Sequence, residues 1–171
     1  MIVEVALDAP TDEAFSAAMA PLFEGAPRFL ARLAAARPFE TPDALFERAR
    51  AIAQDMPEDE QLELIDAHPR LGAPPDTVSM LSHAEQGYDR PGQPPADVAA
   101  ELDRLNAAYE ARFGFRYCVF VAGRPREALL PHMSAALDRD RASELHRALD
   151  AVVDIALDRL AKLDRTNEVM T

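Results

Sequence analysis

The sequence predicts an all-α fold, a single compact bundle of roughly seven to nine helices. Ala and Leu are abundant and aromatic residues make up only 6% of the chain, a composition that favours helix over sheet. Apolar residues recur at helical spacing in one segment after another. Only Tyr117-Cys118-Val119-Phe120-Val121 has strand-like composition. One strand cannot form a sheet, so this stretch is expected as extended chain or an irregular helix.

Each helix has its own start and stop. Thr11-Asp12-Glu13 reads as an N-cap with acids in the first turn, followed by Phe15, Met19, Leu22 and Phe23 on one face. Gly25 stops that helix. A second starts near Pro27 and runs through Phe29, Leu30 and Leu33 to Arg37. Thr41-Pro42-Asp43 opens a third, with Thr as cap and Pro at the first helical position; Leu45, Phe46, Ala49 and Ile52 form its buried stripe. Pro57-Glu58-Asp59 opens a fourth, which carries Leu62, Leu64 and Ile65 up to His68, where Pro69 ends it. Arg70 to Leu81 is a loop. Ser82-His83-Ala84-Glu85 fits a Ser-x-x-Glu capping box and predicts the start of a short helix. Asp89 to Pro95, rich in Pro and Gly, is a second loop. Helix resumes at Ala96, with Val98, Leu102, Leu105 and Tyr109 on one face. Pro125-Arg126-Glu127 starts another that ends near Leu137. The last spans Ala142 to Leu163, with Leu145, Leu149, Val152, Val153, Ala156 and Leu160 in register.

A chain of 171 residues without internal repeats or a linker predicts one domain, residues 1–171, with room for a core that needs no disulfide or metal staple. The formal net charge of −12 repels phosphate backbones and anionic membrane surfaces, so neither nucleic acid nor membrane is expected as a partner. Cys118 is the sole cysteine, which excludes an intrachain disulfide. The N-terminal residues lack the basic and apolar regions of a signal peptide, and no segment approaches the length of a membrane span. A cytoplasmic protein is the expectation. Lys162 is the only lysine, so arginine is the default cation of this chain and carries less meaning than usual at any one position.

The histidines are His68, His83, His132 and His146. His83-Ala84-Glu85 resembles half of a zinc-deaminase motif, but the Pro-Cys-x-x-Cys half is missing, so no metal site is expected. His68 stands at a proline-locked helix end before an Arg-Leu-Gly turn. A histidine there suits proton transfer near neutrality, or it simply interacts with the helix dipole. Glu85 reads either as a helix cap with Ser82 or as an acid. Arg159 sits within the apolar last helix, where a charge needs a partner: a structural ion pair, a solvated edge or a ligand.

Five pieces in order carry a family resemblance. They are Leu22-Phe23-Glu24 with Ala26-Pro27 and Arg37-Pro38-Phe39; Leu64-Ile65-Asp66-Ala67-His68-Pro69-Arg70-Leu71-Gly72; Ser82-x-x-Glu85-Gln86; Leu105-Asn106-Ala107-Ala108-Tyr109 leading into Arg112-Phe113-Gly114-Phe115; and Ile155-Ala156 with Arg159-Leu160 and Leu163. From end to end the chain resembles the 2-oxo-4-hydroxy-4-carboxy-5-ureidoimidazoline (OHCU) decarboxylase family. The resemblance implies an all-α carboxy-lyase of urate breakdown that forms (S)-allantoin, uses no metal or organic cofactor, and is a homodimer. By position, His68 matches the catalytic histidine and Glu85 its acidic partner. Pro69, Ser82 and Gln86 match substrate-contacting positions, and Arg159 an arginine that grips the substrate. Tyr117, Cys118, Val119, Phe120 and Val121 match a segment whose backbone borders the ligand.

The sequence departs from the family twice. Arg116 stands where the family usually has Pro, and Gly87-Tyr88 follows Glu-Gln where a small residue and then Gly are usual. Two other functions compete with the decarboxylase: a non-catalytic binding or regulatory module of the same fold, and a decarboxylase or hydrolase acting on a different ureido acid.

Overall fold

The computed structural model describes residues 2–92 and 94–169, with side chains for 3–92 and 94–166. Within them the protein is all-α, as the composition predicts. Its helices are α1 (Ile2–Leu7), α2 (Asp12–Met19), α3 (Pro27–Ala35), α4 (Pro42–Asp55), α5 (Glu58–Asp66), α6 (Met80–Glu85), α7 (Ala96–Phe113), α8 (Arg126–Ala136) and α9 (Arg141–Val169). The stretch from Tyr117 to Val121 is extended chain with no ladder partner. The loop expected from Asp89 to Pro95 contains Gln93, which lies outside the described residues.

Local chemistry sets most boundaries. The hydroxyls of Thr11 and Thr41 each accept the N–H three residues on, at 3.1 Å, and so cap α2 and α4 as their sequences predict. α2 ends at Met19, earlier than the apolar stripe suggests. Pro21 has no N–H to continue the ladder, so Leu22 and Phe23 are carried into the core by a 3-10 turn, Ala20–Leu22, and its cap. Gly114 (φ 80°) closes α7 in the left-handed conformation that side chains resist. α1 was not expected: it holds by burying Val3 and Ala6 against its neighbours.

The core is one continuous apolar cluster drawn from almost every helix. α9 is its axis and packs against α4, α5, α1 and the Ala20–Leu22 turn. Its buried stripe, Ala148, Leu149, Val152, Val153 and Ala156, continues the apolar spacing and ends at Arg159, a charged residue only 1% exposed. The site therefore forms where the core axis changes from apolar to ionic. The end of α5, the short α6 and the extended segment all converge on that level.

Candidate active site

His68 arrives at the site because α5 cannot continue. Leu64 and Ile65 anchor the helix in the core, and Pro69 forbids another turn. His68 is 4% exposed, and its Nδ1 lies 3.0 Å from the Leu64 carbonyl oxygen. A carbonyl only accepts, so Nδ1 carries the hydrogen and Nε2 keeps its lone pair. That Nε2 is buried without a protein partner, in a residue that lines a cavity. Burial, followed by the positive charge of Arg159, pushes the imidazole down to about 4, against the opposing pull of the Leu64 carbonyl and Glu24. The expectation of a pKa near neutrality is thus corrected. The resting imidazole is neutral and its free nitrogen is a base.

The capping-box reading of Ser82 and Glu85 is also corrected. The cap of α6 is Ser79, whose hydroxyl accepts the Ser82 N–H at 3.2 Å, so Ser82 lies one turn into the helix and Glu85 is its last residue. Glu85 instead meets Arg159. Nε donates to one carboxylate oxygen at 2.6 Å and Nη2 to the other at 2.9 Å, the fork geometry that arginine makes best. Nη1 donates to the Pro21 carbonyl at 2.9 Å. Nη2 also reaches the Ser82 hydroxyl at 3.0 Å and a second carboxylate, Glu24, at 2.7 Å. Burial pushes the Glu24 carboxyl up, but the bonds from Ser82 and Arg159 outweigh it and hold the group below its ordinary range. Sequence reasoning missed Glu24 as a partner of Arg159. Its only signal was its place in the Leu22-Phe23-Glu24 piece.

Every site residue named from the sequence lines one cavity of about 50 Å³: His68, Pro69, Ser82, Glu85, Gln86, the run from Tyr117 to Val121, and Arg159. Leu71, Ala122, Gly123, Ile155, Asp158 and Lys162 complete the wall, Asp158 and Lys162 as an ion pair at 2.5 Å. Gln86 is already committed: its oxygen accepts the Gly72 N–H at 2.8 Å and its amide donates to the Arg70 carbonyl at 3.0 Å. It therefore staples the turn that follows His68 to α6. That turn needs glycine, since Gly72 has φ of 81° and a Cβ there would meet Leu102 Cδ2 at 2.8 Å. Asn106 fixes the same turn through the Leu71 carbonyl at 2.9 Å. Burial pushes the Cys118 thiol up to about 12, which leaves it a neutral wall rather than a nucleophile. Among the described residues no group of three or more His, Cys, Asp or Glu is arranged to hold a metal ion. Of the carboxylates at hand, Glu24 and Glu85 are bound to Arg159 and Asp158 to Lys162.

Chemically the site offers one unprotonated nitrogen, an apolar wall, and two carboxylates held by one arginine. The sequence model of the OHCU decarboxylase family matches residues 8–161. This chain belongs to the OHCU decarboxylase family. It is 30% identical over 151 residues to the 2-oxo-4-hydroxy-4-carboxy-5-ureidoimidazoline decarboxylase of Haloferax volcanii, covering 88% of this chain and 89% of that one. It is 31% identical to the protein of the same name from Halalkalicoccus jeotgali, over 88% of this chain and 85% of that one. Against the uric acid degradation bifunctional protein PucL of Bacillus subtilis it is 32% identical over 83% of its own length, but spans only 28% of that larger protein. The crystal structure of an OHCU decarboxylase in the presence of (S)-allantoin shares the fold, with a TM-score of 0.66, 24% identity, and coverage of 89% of this chain and 96% of that one.

The two departures from the family pattern have structural roles beside the cavity. The Arg116 guanidinium donates to the carbonyls of Asp66 (2.7 Å) and His68 (3.1 Å), and its backbone N–H donates to the Asp66 carboxylate at 3.0 Å. A cation thus caps the end of α5 and steadies His68. Tyr88 lies 5.2 Å from the His83 ring and under the Arg126 guanidinium at 4.4 Å, and its hydroxyl bonds the Ala73 carbonyl. Both substitutions brace the loops and leave His68, Glu85 and Arg159 in place.

Proposed function

We propose that this chain decarboxylates 2-oxo-4-hydroxy-4-carboxy-5-ureidoimidazoline to (S)-allantoin in urate degradation, without a metal or organic cofactor. The observation that carries this reading is His68 Nε2, an unprotonated nitrogen buried beside the Arg159–Glu85 pair. Family membership supplies the substrate.

The chemistry follows from the substrate. The bond from the hydroxyl-bearing ring carbon to its carboxylate breaks, and its electron pair becomes a double bond to the ureido-bearing carbon. The pair of the neighbouring C=N bond moves onto nitrogen, which takes a proton. Carbon dioxide leaves and an enol remains. His68 Nε2 accepts the enol hydroxyl proton, the oxygen becomes a carbonyl, and a proton is delivered to one face of the ureido-bearing carbon. A histidine whose pKa lies near 4 returns a proton readily once it has taken one.

Charge sets the orientation. Arg159 with Glu24 and Glu85 sums to one negative charge, so this corner matches the hydroxyl and ureido N–H donors rather than the carboxylate. Glu85 receives those donors, while the Nη1 hydrogen of Arg159 left over by Pro21 serves a carbonyl oxygen of the ligand. Ser82, Pro69, Gln86 and the backbone from Tyr117 to Val121 shape the ring site. The carboxylate lies against the apolar wall of Val119, Phe120 and Ile155, where its loss as a neutral molecule is favoured.

The test is direct. Substrate is generated in situ from urate, and the optical activity of the allantoin formed is followed with and without this protein, before and after exhaustive chelation. A faster reaction giving optically active product, unchanged by EDTA, is expected. No acceleration would overturn the function, and loss with EDTA followed by recovery with zinc would overturn the cofactor-free reading. We read residues 1–171 as one domain because the apolar core is continuous. No described helix is long and apolar enough to cross a membrane. The homodimer is carried over from the family resemblance and is tested by sedimentation; the cytoplasmic location is carried over from the sequence and is tested by cell fractionation.

A further inference from the structure

Glu24 takes up no proton and touches no substrate in the chemistry above, where it enters only through its charge, yet its setting is unusual. It is a non-glycine residue with φ of 50°, a conformation that L side chains rarely adopt, and such strain persists only where the surroundings impose it. What imposes it is visible on both sides. Phe23 before it is fully buried, with its ring 4.8 Å from Phe29, and Ala26 after it is buried as well. The turn thus projects the Glu24 carboxylate into the core, 12% exposed.

One oxygen of that carboxylate collects three donors from two other elements. It accepts Ser79 Oγ at 2.8 Å, Ser82 Oγ at 2.5 Å and Arg159 Nη2 at 2.7 Å. Ser79 is the cap of α6, and α6 has only six residues, too few to hold its own shape. The helix that carries Glu85 is therefore fixed from outside. The same carboxylate fixes the arginine to which Glu85 is bound. Glu24 thus joins the Ala20–Leu22 turn, α6 and α9 at a single atom.

We propose that Glu24 is a positioning residue of the active site, a carboxylate delivered from the turn before α3 that locks α6 and Arg159 into the arrangement that presents Glu85 to the cavity beside His68. This rests on the reaction proposed above. It does not require Glu24 to touch the substrate. Its charge matters because hydrogen bonds to an ionised acceptor are roughly twice as strong as neutral ones. Glutamine keeps the shape and loses the charge. Asparagine tolerates the left-handed backbone and withdraws the group from its three donors.

The test uses the full chain carrying Glu24→Gln or Glu24→Asn, with turnover of in situ substrate and hydrogen exchange of the Arg159 Nε–H, assigned with Arg159→Lys. Misplacing a group by about 1 Å is worth about 100-fold, so kcat is expected to fall about 10-fold in the first variant and about 100-fold in the second. KM should rise less than kcat falls, because Glu24 itself makes no contact with the substrate. In both variants the Arg159 Nε–H should exchange faster than in the parent. A folded variant with parental kcat, or unchanged Arg159 exchange, would overturn the proposal. So would a lower melting temperature with kcat per folded molecule unchanged, which is the mark of a merely structural role. If Glu24→Asn fails to fold, Glu24→Gln decides. If the parent itself turns over no substrate, the functional reading fails, and the exchange measurement alone still judges Glu24.

Discussion

Helix α9 carries two charge clusters that are near mirror images. Around Glu144, one carboxylate with no exposed surface collects two guanidiniums, Arg139 at 3.1 Å and Arg147 at 2.9 Å, and the Tyr109 hydroxyl at 2.6 Å. Around Arg159, one guanidinium collects two carboxylates and a hydroxyl. About 22 Å of helix separates them. The first is a brace. Arg147 donates to the Cys118 carbonyl at 2.9 Å and lies 5.0 Å over the Tyr117 ring, so it holds the back of the extended segment. None of Glu144, Arg147 and Tyr109 borders the cavity. The difference teaches that a buried ion pair does not by itself mark a site. The Arg159 cluster is set apart by the cavity against it and by one nitrogen, His68 Nε2, left without a partner.

That nitrogen gives the largest expected effect. His68→Asn should lower turnover about 10²–10⁴-fold, the usual worth of a general acid–base group, while the protein stays folded near pH 7. Circular dichroism checks the fold and the in situ assay checks turnover. A folded variant that loses only a few-fold would make His68 a second brace, and the comparison would collapse.

Paired isosteric substitutions sharpen the contrast. Glu144→Gln removes the single charge that two guanidiniums share, and should cost about 3 kcal/mol in urea denaturation, with turnover per folded molecule close to the parent. Glu85→Gln leaves Arg159 paired with Glu24. It should change stability by about 1 kcal/mol or less but lower turnover about 100-fold. Equal loss of turnover per folded molecule in both variants would show that the Glu144 cluster also belongs to the site.

What could be read from the sequence differs between these regions for a physical reason. Helix caps and stripes are local, so Thr11, Thr41 and the spacing of Leu145 through Leu160 announced α2, α4 and α9. The residues that line the cavity were legible as candidates because they lie in short pieces, such as His68-Pro69 and Ser82-x-x-Glu85-Gln86, and the fold brings those pieces together. Local rules misled at Ser82, because Ser79, three residues earlier, offered the same cap and won it. They gave the wrong pKa for His68, since burial and Arg159 are properties of the folded chain. They were silent on Glu24 and Glu144, because an acid in a turn or early in a helix is ordinarily solvated, and only tertiary packing shows otherwise. They also missed α1, whose six residues are held by their neighbours rather than by propensity.

The smallest effect separates the two regions by acid rather than by mutation. His68 has an ordinary pKa of 6.5 and lies near 4 in the folded protein. Between those values the unfolded chain binds a proton that the folded chain does not, so stability rises with pH across that window. The contribution is full above about 6.5, falls as pH drops, and levels off once pH passes below the folded value, a loss of about 3 kcal/mol in all. Glu24, held below its ordinary 4.5, is lost in the same direction but only at lower pH, so the span from 6.5 to 4.5 belongs to His68. Urea denaturation of the parent and of His68→Asn at about pH 7.5, 6 and 5 isolates the term, because every other group is common to both. The parent should lose more stability than the variant on acidification, by about 2 kcal/mol at the lowest pH. Parallel losses would mean that the imidazole is not held neutral by burial. The free base at Nε2, on which the contrast between the two clusters rests, would then have to be given up.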